Sequence, residues 1–320
     1  MRTALAFALA LSMSAAATAA WAEDVKPAPA PAPAAAAPAP AQAQPAPTTF
    51  PALTAEKCTN PNALGVERVV EIDTTGGPGF GFQNFKAYDF LKDHEVVLTF
   101  DDGPWPGNTE RVLKALTDQC TKAMFFPIGQ HAGWHPEILK KDLAAGMTVG
   151  SHTWSHKDLT KLSFEEAKAE IEKGIAAVSV ASGNKPIAPF FRFPALRMPP
   201  EIVKYLASRN IAIMSTDWDT FDFKLRRPEQ VVKSVQERLT KHGKGIILMH
   251  DFQRATSEAV PEILSWLKKN NFKIVQVVAK APLEPLPEYV KEVDKEMGGG
   301  LEAARPMSSV IKTISGGNAN

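Results

Sequence analysis

The chain of 320 residues is poor in cysteine: Cys58 and Cys120 are its only two, and they lie far apart. The Cys clusters of structural zinc sites are thereby excluded. There is no charge excess either. Lys and Arg number 36 against 35 Asp and Glu, interspersed, for a net charge of +1. That balance argues against nucleic acid or a strongly anionic surface as the main partner. Past the N-terminus no apolar run is long enough to span a bilayer, so no transmembrane anchor is expected. No fixed-period repeat is evident.

What is present begins with Met1-Arg2-Thr3, an apolar stretch from Ala4 to Ala20, and Ala20-Trp21-Ala22. A charged start, a short apolar middle and a small-x-small end read as a secretory signal over residues 1–22. No Cys follows it to carry a lipid. Pro27 to Pro47 is almost entirely Pro, Ala and Gln. Such a run cannot bury a core, and its prolines favour extended polyproline II, so residues 23–50 read as a disordered linker. The protein is expected to be exported, periplasmic or secreted, and to act as a monomer. In an oxidising space Cys58 and Cys120 can pair, stapling the N-terminal segment to the first core helix; two buried free thiols are the alternative.

About 270 residues remain, enough for one large domain with a sizeable core. Strand-like runs are Val96–Phe100, Ala123–Ile128, Met147–Ser151, Phe190–Phe193, Ile211–Thr216, Gly245–His250 and Lys273–Val278. Helical patterns fall between them, with signals such as the capping box Ser163-Phe164-Glu165-Glu166 and the helix-starting Pro199-Pro200 and Pro228. This alternation predicts an α/β fold with a parallel sheet, and its count suits a closed or nearly closed barrel better than an open sheet. Residues 95–280 form the expected core domain. Residues 51–94 read as an accessory strand and loop packed on it, and residues 281–320, rich in Pro and Gly, as a wrapping or disordered tail.

The polar residues fall where the strands end. The first apolar run stops on Asp101-Asp102 before Gly103-Pro104. Adjacent acids on a strand point in different directions, so they can do different jobs, although a pair of turn-capping Asp residues would look the same. The third run leads into Ser151-His152-Thr153-Trp154-Ser155-His156, the fourth ends at Arg192, Asp217, Asp219 and Asp222 follow the fifth, and the sixth ends on His250-Asp251. In a parallel barrel all these ends converge on one face. His152 and His156 are four apart, which on a helical turn places both imidazoles within reach of one ion. Two His and one Asp make a mixed nitrogen and oxygen set with a position open to water, which suits a catalytic ion. A second Asp could accept a proton and His250 could donate one, the parts of a metal-assisted hydrolysis at a carbonyl.

In motif order the chain resembles the polysaccharide deacetylases with the NodB-homology domain, carbohydrate esterase family four. Thr99-Phe100-Asp101-Asp102-Gly103, Ser151 to His156, Phe191-Arg192-Phe193-Pro194, Asp219-Thr220-Phe221-Asp222-Phe223 and Leu248-Met249-His250 match its five motifs. The resemblance implies a distorted (β/α)7-type barrel, with an accessory N-terminal segment and extended termini. It implies Asp101 as base; Asp102, His152 and His156 as metal ligands; Arg192 orienting the base; and Asp222 tuning the acid His250. It places Leu248 in the acetyl pocket, and the N–H of Ala195 and the ring of Phe223 beside the substrate. The implied cofactor is a divalent metal, Zn²⁺ first, with Co²⁺, Ni²⁺ or Mn²⁺ as alternatives. The implied partner is an N-acetylated glycan such as peptidoglycan or a chitin-like polymer. Ala195 stands where the family usually has Tyr, and Phe223 where it usually has Trp, which reshapes the pocket. Competing readings are hydrolysis of acetyl esters or small amides, and a non-catalytic glycan-binding protein. Trp105 and Trp134 are candidates for sugar stacking or for packing over the rim. Asp217 and Asp251 are expected to support the motifs they flank, while His94, His131, His135 and His242 read as surface or capping histidines.

Overall fold

The computed structural model describes residues 58–185 and 187–303. The expected secretory signal, the expected linker, residues 51–57 of the expected accessory segment and residues 304–320 of the expected tail lie outside the described residues. In chain order the strands are β1 (Arg68–Ile72), β2 (Gly79–Phe80), β3 (Glu95–Asp101), β4 (Met124–Phe126), β5 (Thr148–Val149), β6 (Phe190–Phe191), β7 (Ala212–Met214), β8 (Trp218–Asp219), β9 (Gly245–His250) and β10 (Lys273–Ala279). The helices are α1 (Asn108–Asp118), α2 (Gly129–Trp134), α3 (Pro136–Ala144), α4 (Phe164–Ala181), α5 (Pro200–Ser208), α6 (Pro228–His242), α7 (Arg254–Lys269) and α8 (Pro287–Ala303).

Every residue of β3 is buried, as befits a central parallel strand covered on both faces. Along one edge it pairs with β9 from Val96 to Asp101; β10 and β4 share its other edge, at the start and the end. The larger sheet runs β1-β10-β3-β4-β5, with β9 and β8 branching from β3, and the smaller runs β2-β7-β6. The two meet at a bridge between Ser151 and Phe191, and where Asp217 N donates to Ile246 O at 2.9 Å. The expected parallel α/β fold is present, but the barrel is two arcs rather than a ring closed by continuous ladders. At the seam β5 and β6 are two residues long. Pro189 and Pro194, flanking β6, lack the N–H that a longer ladder would need.

Alternation along the strands sorts the core. Val96, Leu98 and Phe100 of β3, with Ile247 and Met249 of β9, belong to the large cluster beneath the helices. Val97 and Ile246 belong to a separate cluster with Phe126, Phe190, Met214 and Val277, the lining of the barrel. Period two therefore turns Asp101 and His250, which are register partners, toward the barrel interior.

Two elements were not legible as helices. α2 (Gly-Gln-His-Ala-Gly-Trp) contains two glycines and has little propensity of its own, so packing against neighbours holds it. The tail wraps through α8: Val293 is fully buried against Ala176 and Ala177 of α4, and Lys173 pairs with Glu292 at 3.1 Å and Glu296 at 2.6 Å.

Cys58 and Cys120 are joined by a disulfide across 62 residues, tying the start of the described chain to the end of α1. Replacing Cys120 by Ser is expected to lower the unfolding free energy by about 4 kcal/mol in the chain-entropy estimate. Urea denaturation checks this, and a loss well under about 1 kcal/mol would show that the staple adds little.

Candidate active site

Arg192 follows β6 and turns inward. Its side chain is fully buried, which is costly unless every edge of the guanidinium finds a partner. Nε donates to Met214 O at 2.8 Å, Nη2 to Ser215 O at 2.8 Å, and Nη1 to Thr99 Oγ1 at 2.7 Å and Asp101 Oδ1 at 2.8 Å. Its flat face lies over the Phe126 ring, 4.4 Å from the centroid. Burial pushes the Asp101 carboxyl up; the charges of Arg192 and His250 pull it back, Asp102 adds to the rise, and the outcome is about 6. Asp101 is thus a stronger base than a solvated carboxylate, held in place by a cation.

Asp102, His152 and His156 bring one ligand atom each to within 4.8 Å of one another. Asp102 Oδ1 lies 3.4 Å from His152 Nε2 and 3.5 Å from His156 Nε2, and it is buried with no hydrogen-bond partner. His152 cannot satisfy it. Its Nδ1 donates to Arg192 O at 2.7 Å, and burial holds the ring well below its usual pKa, so the neutral ring presents a bare Nε2 lone pair. Asp102 Oδ1 and His152 Nε2 are two acceptors face to face, and a cation between them would satisfy both. Ligand bonds of about 2.1 Å at tetrahedral angles would set such atoms about 3.4 Å apart, so the donor set fits a Zn²⁺-like ion. His156 is 39% exposed and leaves the site open to solvent on its side.

His250, at the end of β9, is gripped twice by the fully buried Asp222: Nδ1 donates to Oδ1 at 2.7 Å and the backbone N–H to Oδ2 at 2.7 Å. Thr256 Oγ1 donates to the same Oδ2 at 2.6 Å. Burial opposes a charged ring here, but the hydrogen bond and charge of Asp222 outweigh it, with help from Asp102 and Asp101, and lift His250 to about 10. Its free Nε2 lies 4.0 Å from Asp102 Oδ2.

The candidate ligands arrive by a route the spacing did not anticipate. His152 to His156 is an irregular loop rather than a helical turn, with Thr153 and His156 at φ 68° and 58°. Helix α4 supports it. Trp154 N donates to Glu170 O at 2.7 Å, Ser155 Oγ donates to the Glu170 carboxylate at 2.9 Å, and Gly174 lets Thr153 sit so close that a Cβ there would meet its carbonyl carbon at 2.4 Å. Asp102 is itself left-handed at φ 72°. His131 of α2 holds that conformation by donating from Nδ1 to Asp102 O at 2.6 Å. His131 is therefore not a plain surface histidine, and Trp105 and Trp134 pack against its ring while staying exposed. Asp251 secures the next residues: Oδ1 accepts from Gly103 N at 3.2 Å and Oδ2 from Thr109 Oγ1.

The remaining expected residues also reach this rim. Leu248 is buried and pairs with Asp219 across β8 and β9. Phe223 places its ring 5.5 Å from that of His250. Ala195, at φ 51°, is exposed on the turn after Arg192. If the cluster holds a divalent ion, replacing His131 by Ala is expected to weaken its binding, tested with Zn²⁺, about 10- to 100-fold, as loss of an outer support does. Competition with a chromophoric chelator reads this, and unchanged affinity would remove His131 from the site's support.

Residues 90–213 match the model of the family described as Polysaccharide deacetylase. Asp101, Asp102, His152, His156 and Arg192 fall inside that match; Asp222, Leu248 and His250 lie beyond it and join the site through the fold. The chain is 34% identical over 185 residues to the peptidoglycan-N-acetylglucosamine deacetylase PgdA of Listeria monocytogenes, covering 57% of this chain but 38% of that protein. It is 33% identical over 212 residues to chitin deacetylase 1 of Saccharomyces cerevisiae, covering 64% of this chain and 66% of the yeast protein. Among solved structures, the peptidoglycan deacetylase Bd3279 of Bdellovibrio bacteriovorus aligns with a TM-score of 0.60 at 31% identity, over 66% of this chain and 58% of that one. With its fold, motif order and these likenesses together, the chain belongs to the polysaccharide deacetylase family.

Proposed function

We propose that the protein removes N-acetyl groups from a polysaccharide containing N-acetylglucosamine, of the peptidoglycan or chitin type, by metal-dependent hydrolysis. The observation that carries this reading is a base and an acid, each with its own partner, at one three-ligand cluster. Asp101, paired with Arg192, has Oδ2 3.9 Å from His152 Nε2; His250, paired with Asp222, has Nε2 4.0 Å from Asp102 Oδ2. Residues 95–280 carry the chemistry in this reading, with residues 51–94 as an accessory segment.

Asp102, His152 and His156 would hold the ion. A bound Zn²⁺, or Co²⁺, Ni²⁺ or Mn²⁺ in its place, supplies Lewis-acid polarisation of the acetamide and of the attacking water. Asp101 accepts the proton of that water as it attacks the acetamide carbon. Arg192 keeps the carboxylate oriented for this. The Ala195 N–H donates to the oxygen as negative charge develops there. His250 then gives its proton from Nε2 to the departing amine, having been kept protonated by Asp222. Leu248 and Phe223 wall the space for the acetyl group.

Among the described residues no helix is long and apolar enough to cross a membrane, and the disulfide suits an oxidising compartment. The disulfide supports the reading of export and action on a glycan outside the cytoplasm.

Acetate release from N-acetylglucosamine oligomers tests the proposal. Activity should vanish on chelation and return with Zn²⁺. His250→Ala should lower kcat by about 10²–10⁴-fold with metal still bound. Metal-loaded protein that releases no acetate from any acetylated glycan, but still binds one, would support the non-catalytic reading instead. Release from acetyl esters or small amides alone would move the substrate class.

A further inference from the structure

Trp154 stands in the chain between the candidate ligands His152 and His156. Its side chain packs on a small apolar cluster of its own. Ala176 and Ala177 of α4 and Val293 of α8 form the centre, with Tyr289, Val290 and Met297 of α8 around them. One ring thus joins the ligand loop to a helix that lies beyond residues 90–213 of the family match.

Helices α2 and α4 grip this loop from two sides. From α2, Gly129 N donates to Thr153 O at 2.9 Å and Gln130 N to Trp154 O at 3.0 Å, while Trp154 N donates to Glu170 O of α4. The fit is close: a Cβ on Gly129 would stand 2.9 Å from Trp154 Cε3 and 3.0 Å from Gly174 Cα. Helix α2 also carries His131, which holds Asp102 O. All three candidate ligands therefore rest on α2 and α4, and α8 lies against both. On α2, a Cβ at Gly133 would stand 3.0 Å from Met297 Cε. On α4, the mostly buried Lys173 sets Nζ 5.2 Å from the centroid of the Trp154 ring. Glu292 and Glu296 of α8 hold the ammonium there, at 3.1 Å and 2.6 Å.

We infer that α8 braces the candidate metal site, and that Trp154 is the positioning residue through which the tail sets the affinity for the ion. The loop needs such a brace. Thr153 and His156 both have positive φ, and strained backbone keeps its shape only where its surroundings determine it. Among the described residues of α8, Val293 alone is buried. The helix can therefore lift away without opening the main core, and the order of the loop follows its docking. The inference rests on the proposed metal-dependent reading.

Val293→Asp in the full chain tests it with two readouts: Zn²⁺ affinity by chelator competition, and amide hydrogen exchange on metal-free protein. Affinity should fall about tenfold, the low end of what losing an outer support costs. Exchange should quicken over residues 152–156 while β3 and β9 keep their protection. Val293→Ile should keep both readouts at the wild-type level. On a Trp154→Ala background, Val293→Asp should add little further loss, because the two act through one contact. Should Val293→Asp fail to fold, Glu292→Gln with Glu296→Gln, on exposed carboxylates, takes its place with the same readouts. Faster exchange in α8 with unchanged affinity and an unchanged loop would overturn the brace, as would full additivity with Trp154→Ala. A wild-type protein that binds no divalent ion would overturn the metal reading instead. Exchange over residues 152–156 then decides the brace on its own.

Discussion

The structure turns on the buried guanidinium of Arg192. It anchors the chain after β7 through Met214 O and Ser215 O, and β3 of the larger sheet through Thr99 and Asp101. Its backbone N–H donates to Ser151 O, and its carbonyl accepts from His152 Nδ1. One residue thus ties the two arcs at their seam, positions the base and fixes the tautomer of a candidate metal ligand. A buried cation left without its anion is worth several kcal/mol of instability. Arg192 therefore commits Asp101 to one place and one charge state, and the rest of the rim is built around that commitment.

The two proton carriers have partners of opposite sign. Asp101 is paired with a cation and His250 with an anion, so each is held in the charged form its role requires. Burial works against both charges, yet with different results: it leaves Asp101 near 6, while Asp222 lifts His250 to about 10. Two titratable groups set apart in this way are what the proposed acid and base at one reacting centre require. The third acid, Asp102, is approached by a cation only at Oδ2, where His250 Nε2 stands 4.0 Å away. Its Oδ1 is buried and unsatisfied between two imidazoles, which is the electrostatic imprint of a site for a cation.

Much of this was legible in the sequence because it breaks local rules. An apolar run ending on Asp101-Asp102 could be a capped turn, but with histidines gathered in Ser151–His156 and further polar strand ends it reads as a site. The parallel α/β alternation was equally visible. The geometry behind the motifs was not. Whether Asp101 or Asp102 faces inward follows from the parity of β3 within a barrel, and the spacing of His152 and His156 suggested a helical turn where a left-handed loop on α4 exists. Supporting residues such as His131, Glu170 and Gly174 are ordinary types that act across long sequence separations. Nothing local marks His131 as the donor to Asp102 O, nor the hydrogen bond from Phe82 N to Asp217 Oδ1 as the clasp that seats the accessory segment. The helix α8 was hidden by the Pro and Gly content of the tail around it.

The central claim is a division of labour between two adjacent acids, Asp102 for the ion and Asp101 for the proton. Metal stoichiometry and acetate release measured side by side on Asp101→Asn and Asp102→Asn test it most directly. The account predicts that Asp101→Asn keeps about one equivalent of Zn²⁺ while losing about 10²–10⁴-fold in activity, and that Asp102→Asn loses the ion and the activity together. An Asp101→Asn protein without metal, or an Asp102→Asn protein that retains it at full affinity, would contradict the account.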